Sequence, residues 1–211
     1  MRVKVCGVRT PEEARLAARC GVDAVGLVFA ASPRRVTVDQ ARAVAASLPP
    51  FVTLVGVFVD QPRQEVLHIA RTAGLQVLQF SGAEDPGYCR SFDRYPVIKA
   101  IRVRDASFRR EALAYAGCSI LLDTWVPGVA GGSGRSFDWG LAADLDLPAP
   151  VILAGGLSPA NVALAVRKIR PDGVDVSSGV ETNGRKDAAK MMAFVAGARQ
   201  SPVPFAAGWQ C

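Results

Sequence analysis

Short apolar runs rich in β-branched residues recur along this 211-residue chain, and nearly all are followed by a stretch with the period of an amphipathic helix. The runs cover 3–5, 24–29 (AVGLVF), 53–59 (TLVGVFV), 77–80, 97–103 (VIKAIRV), 119–124 (SILLDT), 151–156 (VILAGG) and 173–178 (GVDVSS), eight in all. Strands that are apolar almost throughout belong to a sheet covered on both faces, and a helix after each provides the crossover that parallel pairing needs. The helical stretches carry their own boundaries. In TPEEARLAARCG, Thr10 caps, Pro11 suits the first turn, Glu12 and Glu13 complement the positive end of the helix, and Gly21 stops it. TVDQARAVAASL, PRQEVLHIARTAG, SFRREALAYAG and SPANVALAVRKI repeat the scheme.

Eight such units, one helix after each strand, close into a single-domain α/β fold, the (β/α)8 or TIM barrel. An open doubly wound sheet uses the same alternation, but it asks for G-x-G-x-x-G after the first strand, where this chain has CGVRT. The barrel is therefore expected over residues 1–200. The last eleven residues, SPVPFAAGWQC, hold two prolines and no helical period and are expected to be a tail, 201–211.

Composition narrows the setting. Half of the residues are apolar and 21% are charged, as in a globular protein with a substantial core. Arg2, Lys4 and Arg9 interrupt any leader-like segment, and no apolar run reaches the roughly 18 residues of a membrane span, so a cytoplasmic protein with no membrane partner is expected. The five cysteines (Cys6, Cys20, Cys89, Cys118, Cys211) are scattered, without a C-x-x-C pair, which suggests reduced thiols rather than disulfides or a zinc site. The net charge of +6 comes from dispersed arginines with no dense run interleaved with aromatics, so nucleic acid is not expected; a small anionic substrate fits, as do arginines that only solvate helix faces, and charge alone does not decide between them. No heptad seam or spare apolar stripe fixes the assembly, which leaves a monomer or a homodimer.

In a (β/α)8 barrel the chemistry sits at the carboxyl ends of the strands. Strand 7 leads into AGGLSPANV and strand 8 into DVSSGVE. Gly155 and Gly156 bring bare backbone N–H groups towards a helix start, and Ser177, Ser178 and Gly179 do so on the neighbouring strand. Two readings stand, a phosphate cradle and a pair of tight turns, and the adjacency of the two loops favours the cradle. Asp123 follows SILL at the mouth of strand 6. Partial desolvation there lets a carboxyl hold its proton near neutrality, although capping or an ion pair would also account for it. The stretch after it is rich in glycine (Gly128, Gly131, Gly132, Gly134), as befits either a loop that closes over a ligand or a slack surface loop. Cys6 ends strand 1, and by itself it reads more readily as an inert buried thiol than as a reactive one. His68, the single histidine, lies within a helical stretch away from the strand ends, which argues against a Ser-His or Cys-His nucleophile. Cys20, Cys89 and Cys118 read as packing, as do Met191 and Met192 in the last helix.

The blocks KVCGVRT, DAVGLVF..SPRRV, VGVFV, LLDT, GGSGRSFDW, ILAGGLSPANV and GVDVSSGVE, in this order from about residue 2 to residue 197, resemble the phosphoribosylanthranilate isomerases of tryptophan biosynthesis. The resemblance implies a (β/α)8 barrel that carries out an Amadori rearrangement without cofactor or metal. Its substrate would be N-(5-phosphoribosyl)anthranilate and its product 1-(2-carboxyphenylamino)-1-deoxyribulose 5-phosphate. By motif it implies Cys6 as general base, Asp123 as general acid, and the strand 7 and 8 loops (Gly155, Gly156, Ser177, Ser178) around the phosphate. It further implies Arg34, with Arg35 as the alternative, on the anthranilate carboxylate, and Asp175 as a further contact. The family usually ends strand 4 with QLHG, whereas this chain has QFSG: Gln79 is kept, and Ser81 stands where the histidine is usual. Ser81 raises the possibility of a paralogue with another aminosugar phosphate. Lys99, inside strand 5, raises that of the neighbouring indole-3-glycerol-phosphate synthase, which uses a lysine acid. A non-catalytic phosphate-binding barrel would need the cradle but neither Cys6 nor Asp123.

Overall fold

The computed structural model describes residues 1–124, 138–143 and 145–200. The eight runs become β1 (Arg2–Cys6), β2 (Ala24–Val28), β3 (Thr53–Phe58), β4 (Val77–Phe80), β5 (Val97–Val103), β6 (Ser119–Thr124), β7 (Val151–Leu153) and β8 (Gly173–Val176). They pair in sequence order as one closed barrel, β8 returning to β1, with parallel pairing at every step. The helices α1 (Pro11–Arg19), α2 (Val38–Ser47), α3 (Arg63–Ala73), α4 (Pro86–Arg90), α5 (Phe108–Ala114), α6 (Val162–Ile169) and α7 (Ala188–Arg199) follow their strands around the outside. Between β6 and β7 the described residues hold a 3-10 turn, Trp139–Ala142, where the barrel pattern calls for a helix. The glycine-rich stretch and the expected tail lie outside the described residues.

The boundary signals act as read. Thr10 accepts the N–H of Glu13 at the start of α1, and Thr37 forms a reciprocal capping box with Gln40 at the start of α2. Four strands stop short of the expected runs, β2 and β3 by one residue each and β7 and β8 by more. β7 ends at Leu153 because Gly155 and Gly156 adopt left-handed φ values of +81° and +63°, which no ladder accommodates. β8 ends at Val176, and Ser178–Val180 turn into a 3-10 helix.

Two apolar layers hold the barrel. The larger lies between strands and helices and includes an aromatic row in which Phe29 stacks on Phe58 at 5.2 Å, and Phe80 packs on Phe92 and Tyr88. The smaller fills the barrel with Val55, Ile98, Leu121 and Ala154. The strand pleat sends alternate residues to these two layers, which is why the runs are apolar throughout. Of the methionine pair, Met191 is fully buried but Met192 is 54% exposed. Successive helix residues point about 100° apart, so only one of two neighbours faces the core.

After β8 comes a hairpin that the eight-unit pattern does not contain, β9 (Glu181–Thr182) and β10 (Arg185–Lys186). Its turn is Asn183–Gly184, with φ of +52° and +72°, the positive pair that Asn-Gly favours in a two-residue hairpin. Arg9 Nη2 donates to the Gly184 carbonyl, fastening the hairpin to the loop after β1.

Candidate active site

A cavity of about 340 Å3 opens at the carboxyl ends of the strands. Cys6, Arg34, Gln79, Asp123, Gly155, Gly156, Asp175, Ser177, Ser178 and Gly179 all line it, over a floor that includes Leu121 and Ala154. Seen around the ring, Cys6 and Asp123 end β1 and β6, and β8 and β7 stand between them with Asp175 and the glycine pair.

Cys6 sits on the cavity wall directly above a buried ion pair. Lys4 Nζ lies 3.0 Å from Asp175 Oδ1, the two residues being paired across β1 and β8. Burial pushes the Cys6 thiol up from its ordinary value; the positive charges of Lys4 and Lys186 oppose this and that of Asp175 adds to it. Ser177 Oγ donates to the Cys6 carbonyl at 3.1 Å, tying the ends of β1 and β8 together. The hydroxyl expected in the cradle thus has a structural partner.

Burial likewise raises the Asp123 carboxyl; the Thr124 N–H, donating to Oδ1 at 2.8 Å, opposes the shift, and the charge of Asp175 reinforces it. A carboxyl in this setting holds a proton closer to neutrality than a solvated one. A Cβ on Gly155 would lie 3.0 Å from Asp123 Oδ1 and collide with Thr124, so glycine is required where strand 7 crosses the acid.

Arg34 reaches across Gly7, where any Cβ would strike its Cδ, and forks onto Glu181 with Nε and Nη2 each 2.8 Å from a carboxylate oxygen. Lys186 Nζ also donates to Glu181 at 2.8 Å. Burial works to raise the Glu181 carboxyl, but the hydrogen bonds from Arg34 and Lys186 hold it down at about 2. The pair fixes one edge of the guanidinium and leaves the rest of the fork for a planar anion at the cavity wall. Arg35 lines a groove on the outside of the barrel together with the exposed His68.

At the β7 loop, Asn161 works as a staple, its Oδ1 accepting the Ser158 N–H at 2.8 Å and its Nδ2 donating to Gly156 O at 2.9 Å. With Gly155 and Gly156 in the left-handed region and the 3-10 turn at Ser178 beside them, the two loops form a concave stretch of backbone suited to an anion. Gln79 is buried and donates to Ser81 Oγ at 3.2 Å, while its Oε1 has no hydrogen-bond partner among the described residues. Ser81 thus holds the amide nitrogen of Gln79 at the cavity wall.

Lys99 does not reach the cavity. Its Nζ is 2.7 Å from Gly82 O and 2.8 Å from Glu84 Oε2, which makes it a support for the β4 loop rather than an acid. Cys89 and Cys118 are buried in the outer layer, and Cys20 Sγ contacts Ala188 O at 3.7 Å. Lys4, Glu181, Lys186 and Asn161 stand in the quoted motifs or beside them, yet nothing in spacing alone assigns them a place; the Asn-Gly turn was the available signal for the hairpin that carries Lys186. Among the described residues no cluster of three or more His, Cys, Asp or Glu side chains is placed to hold a metal ion, and no helix is long and apolar enough to cross a membrane.

A closed parallel barrel with a thiol, a partly desolvated carboxyl and a backbone cradle around one strand-end cavity defines an enzyme of the (β/α)8 class. The model of the family described as N-(5'-phosphoribosyl)anthranilate (PRA) isomerase matches residues 3–197. This chain belongs to that family. It is 48% identical over 200 residues to the N-(5'-phosphoribosyl)anthranilate isomerase of Desulforamulus reducens, covering 95% of this chain and 96% of that one. Against the crystal structure of phosphoribosyl anthranilate isomerase from Thermotoga maritima it superposes with a TM-score of 0.86 at 40% identity, covering 94% of this chain and 98% of that one. A structure of phosphoribosyl anthranilate isomerase in complex with reduced 1-(o-carboxyphenylamino)-1-deoxyribulose 5-phosphate is similar at a TM-score of 0.83 and 38% identity, again covering 94% and 98%.

Proposed function

We propose that this chain isomerises N-(5-phosphoribosyl)anthranilate to 1-(2-carboxyphenylamino)-1-deoxyribulose 5-phosphate in tryptophan biosynthesis, with Asp123 as general acid and Cys6 as general base. Asp123 gives its proton to the furanose oxygen as the C1′–O bond breaks, and the anilino nitrogen lone pair forms the C1′=N bond. The Cys6 thiolate then takes the C2′ proton, and the resulting enolamine tautomerises to the ketone. Substrate and product are isomers, so no external oxidant or reductant enters. Arg34 faces the anthranilate carboxylate, Gly155, Gly156, Ser178 and Gly179 surround the phosphate, and Asp175 and Gln79 meet the sugar.

The observation that carries this reading is the shared cavity: a thiol from β1 and a carboxyl from β6, raised by burial, line the same wall as the β7 and β8 loops. Acid and base drawn from different strands address different ends of one sugar, as paired proton transfer requires. Purified protein given freshly made phosphoribosylanthranilate should consume its fluorescence. Cys6→Ala and Asp123→Asn should each lower kcat by roughly 10²–10⁴-fold. Folded protein without turnover would remove the reading, and full activity in either variant would remove that residue's role. Gln79 with its amide on Ser81 raises a narrower question of substrate range, which rescue of a tryptophan auxotroph lacking this step answers.

A further inference from the structure

A thiol with no histidine beside it needs another source of countercharge before it can act as a base near neutrality. We propose that Lys4 is that source: its buried ammonium, lying between Asp175 and Cys6, holds the Cys6 thiolate once the thiol proton has left to solvent through the cavity mouth. The proposal rests on the isomerase reading above and gives its base a positioning residue.

The placement follows from the pleat. Lys4 and Cys6 are two residues apart on β1 and so face the same side of the strand, into the barrel. Their neighbours on β2 are Ala24 and Gly26, the smallest side chains available. The position a Cβ on Gly26 would take lies 2.9 Å from Cys6 Sγ and 3.2 Å from Lys4 Cε. The lysine chain therefore rises through the space that Gly26 leaves bare and brings its charge up beneath the thiol.

Three lysines are buried in the described part of the chain, and they differ in one respect. Lys99 Nζ has Gly82 O and Glu84, and Lys186 Nζ has Ser177 O at 3.1 Å and Glu181 at 2.8 Å. Lys4, 5% exposed, has only the oblique approach to Asp175: neither Lys4 Nζ nor Asp175 Oδ1 completes a hydrogen bond among the described residues. A buried ammonium without an aligned acceptor is costly, and a thiolate overhead is the acceptor it lacks.

The charged groups around Cys6 come from every adjoining element: Lys4 on its own strand, Asp175 on β8, Lys186 on β10, and Arg34 from the loop after β2. Arg34 and Lys186 are committed to Glu181, which leaves Lys4 as the cation free to answer a new negative charge. After burial, Lys4 is the largest influence on the thiol, and it acts to lower its value. Burial works to lower Lys4 itself, but Asp175 and Cys6 together hold it above the ordinary lysine value, so it stays an ammonium while the thiol ionises.

The chemistry balances simply. The S–H proton goes to solvent, Lys4 keeps its own three protons, and the thiolate later gains the C2′ proton and returns it to solvent as the site resets. The active form has Cys6 ionised and Asp123 protonated, although the thiol is the weaker acid of the two. Its population between their two values therefore falls tenfold for each unit by which the thiol value rises.

The test reads the thiol without substrate. Iodoacetamide alkylation of Cys6, followed by peptide mass spectrometry across pH, gives its ionisation midpoint in the wild type, Lys4→Met, Lys4→Arg and Asp175→Asn, each checked for folding by circular dichroism. The expected result is a midpoint at least about one unit higher in Lys4→Met, near the wild type in Lys4→Arg, and lower in Asp175→Asn, where a negative charge that raises the thiol is removed. The kcat/KM plateau of Lys4→Met should fall about tenfold per unit, with its alkaline limb moved up by the same amount. An unmoved midpoint in folded Lys4→Met overturns the proposal, as does a moved midpoint with an unmoved plateau. If Lys4→Met fails to fold, Lys4→Gln takes its place: a midpoint raised by about one unit supports the proposal, and an unmoved one overturns it. Wild-type turnover with an unmoved Lys4→Met midpoint sinks the role of Lys4 and leaves the isomerase reading standing. Folded wild type without turnover sinks both.

Discussion

Arg34 and Glu181 show how one side chain prepares another. The carboxylate holds the Nε edge of the guanidinium in a fork, so the arginine stands already oriented at the cavity wall. Lysine at position 34 would keep the charge and lose the fork. Arg34→Lys should raise KM about tenfold while kcat changes by less than about threefold, measured by steady-state kinetics. Glu181 also makes stability depend on acid. Its folded value is depressed from 4.5 to about 2, so its contribution is fully present above about 4.5 and is lost as the pH falls through about 2. Glu181→Gln should cost about 3 kcal/mol at pH 7 in urea unfolding, a deficit that shrinks towards pH 2. In the proposed roles, the raised carboxyl of Asp123 and the raised thiol of Cys6 set the rate profile. Because the acid titrates below the base, kcat/KM should rise to a plateau above the Asp123 value and fall above the Cys6 value. A profile that rises once, with no alkaline fall, would contradict that pairing.

Among elements, the β4 loop is held by charge rather than by a turn. Lys99 and Glu84 are each 2% exposed and lie 2.8 Å apart, and Tyr115 Oη adds a hydrogen bond to Glu84 O. Lys99→Met leaves a buried carboxylate without its countercharge, held only by the Asp60 and Gly82 N–H groups, and should cost about 3–5 kcal/mol of unfolding free energy, read from urea curves. The elements themselves were largely legible in the chain: Thr10, Thr37 and Gly74 mark helix ends by local hydrogen bonding or a left-handed φ, needing no distant partner. The β9–β10 hairpin was legible in principle from Asn183–Gly184, but two-residue strands carry no apolar period. The ends of β7 and β8 were read too far on, because Ala154, Gly155, Gly156 and Ser177 continue the composition of the strand while the backbone turns away.

On the scale of the whole molecule, α7 completes the outer layer: Met191, Phe194, Val195 and Ala198 are buried, and Arg199 Nη2 donates to Asp23 Oδ2 at 2.8 Å and to Gly21 O at 2.9 Å. Asp23 in turn accepts the Val3 N–H at 2.8 Å, so the last helix is bonded to the first strand pair. Ending the chain before α7 should therefore abolish folding, read as the loss of a cooperative melting transition. The sequence by itself determined the barrel, because eight apolar runs with capped helices between them allow few other closures, and it also determined which strand ends bear a thiol, a carboxyl and glycine loops. Only the tertiary structure decided what surrounds those groups. The Lys4–Asp175 pair, the clamp of Glu181 on Arg34 and Lys186, and the diversion of Lys99 to Glu84 join residues up to 171 positions apart on different strands and loops. Whether a buried lysine supports a loop or serves a thiol depends on which acceptors the closed ring brings within 3 Å of its nitrogen, and no local pattern in the chain encodes that distance.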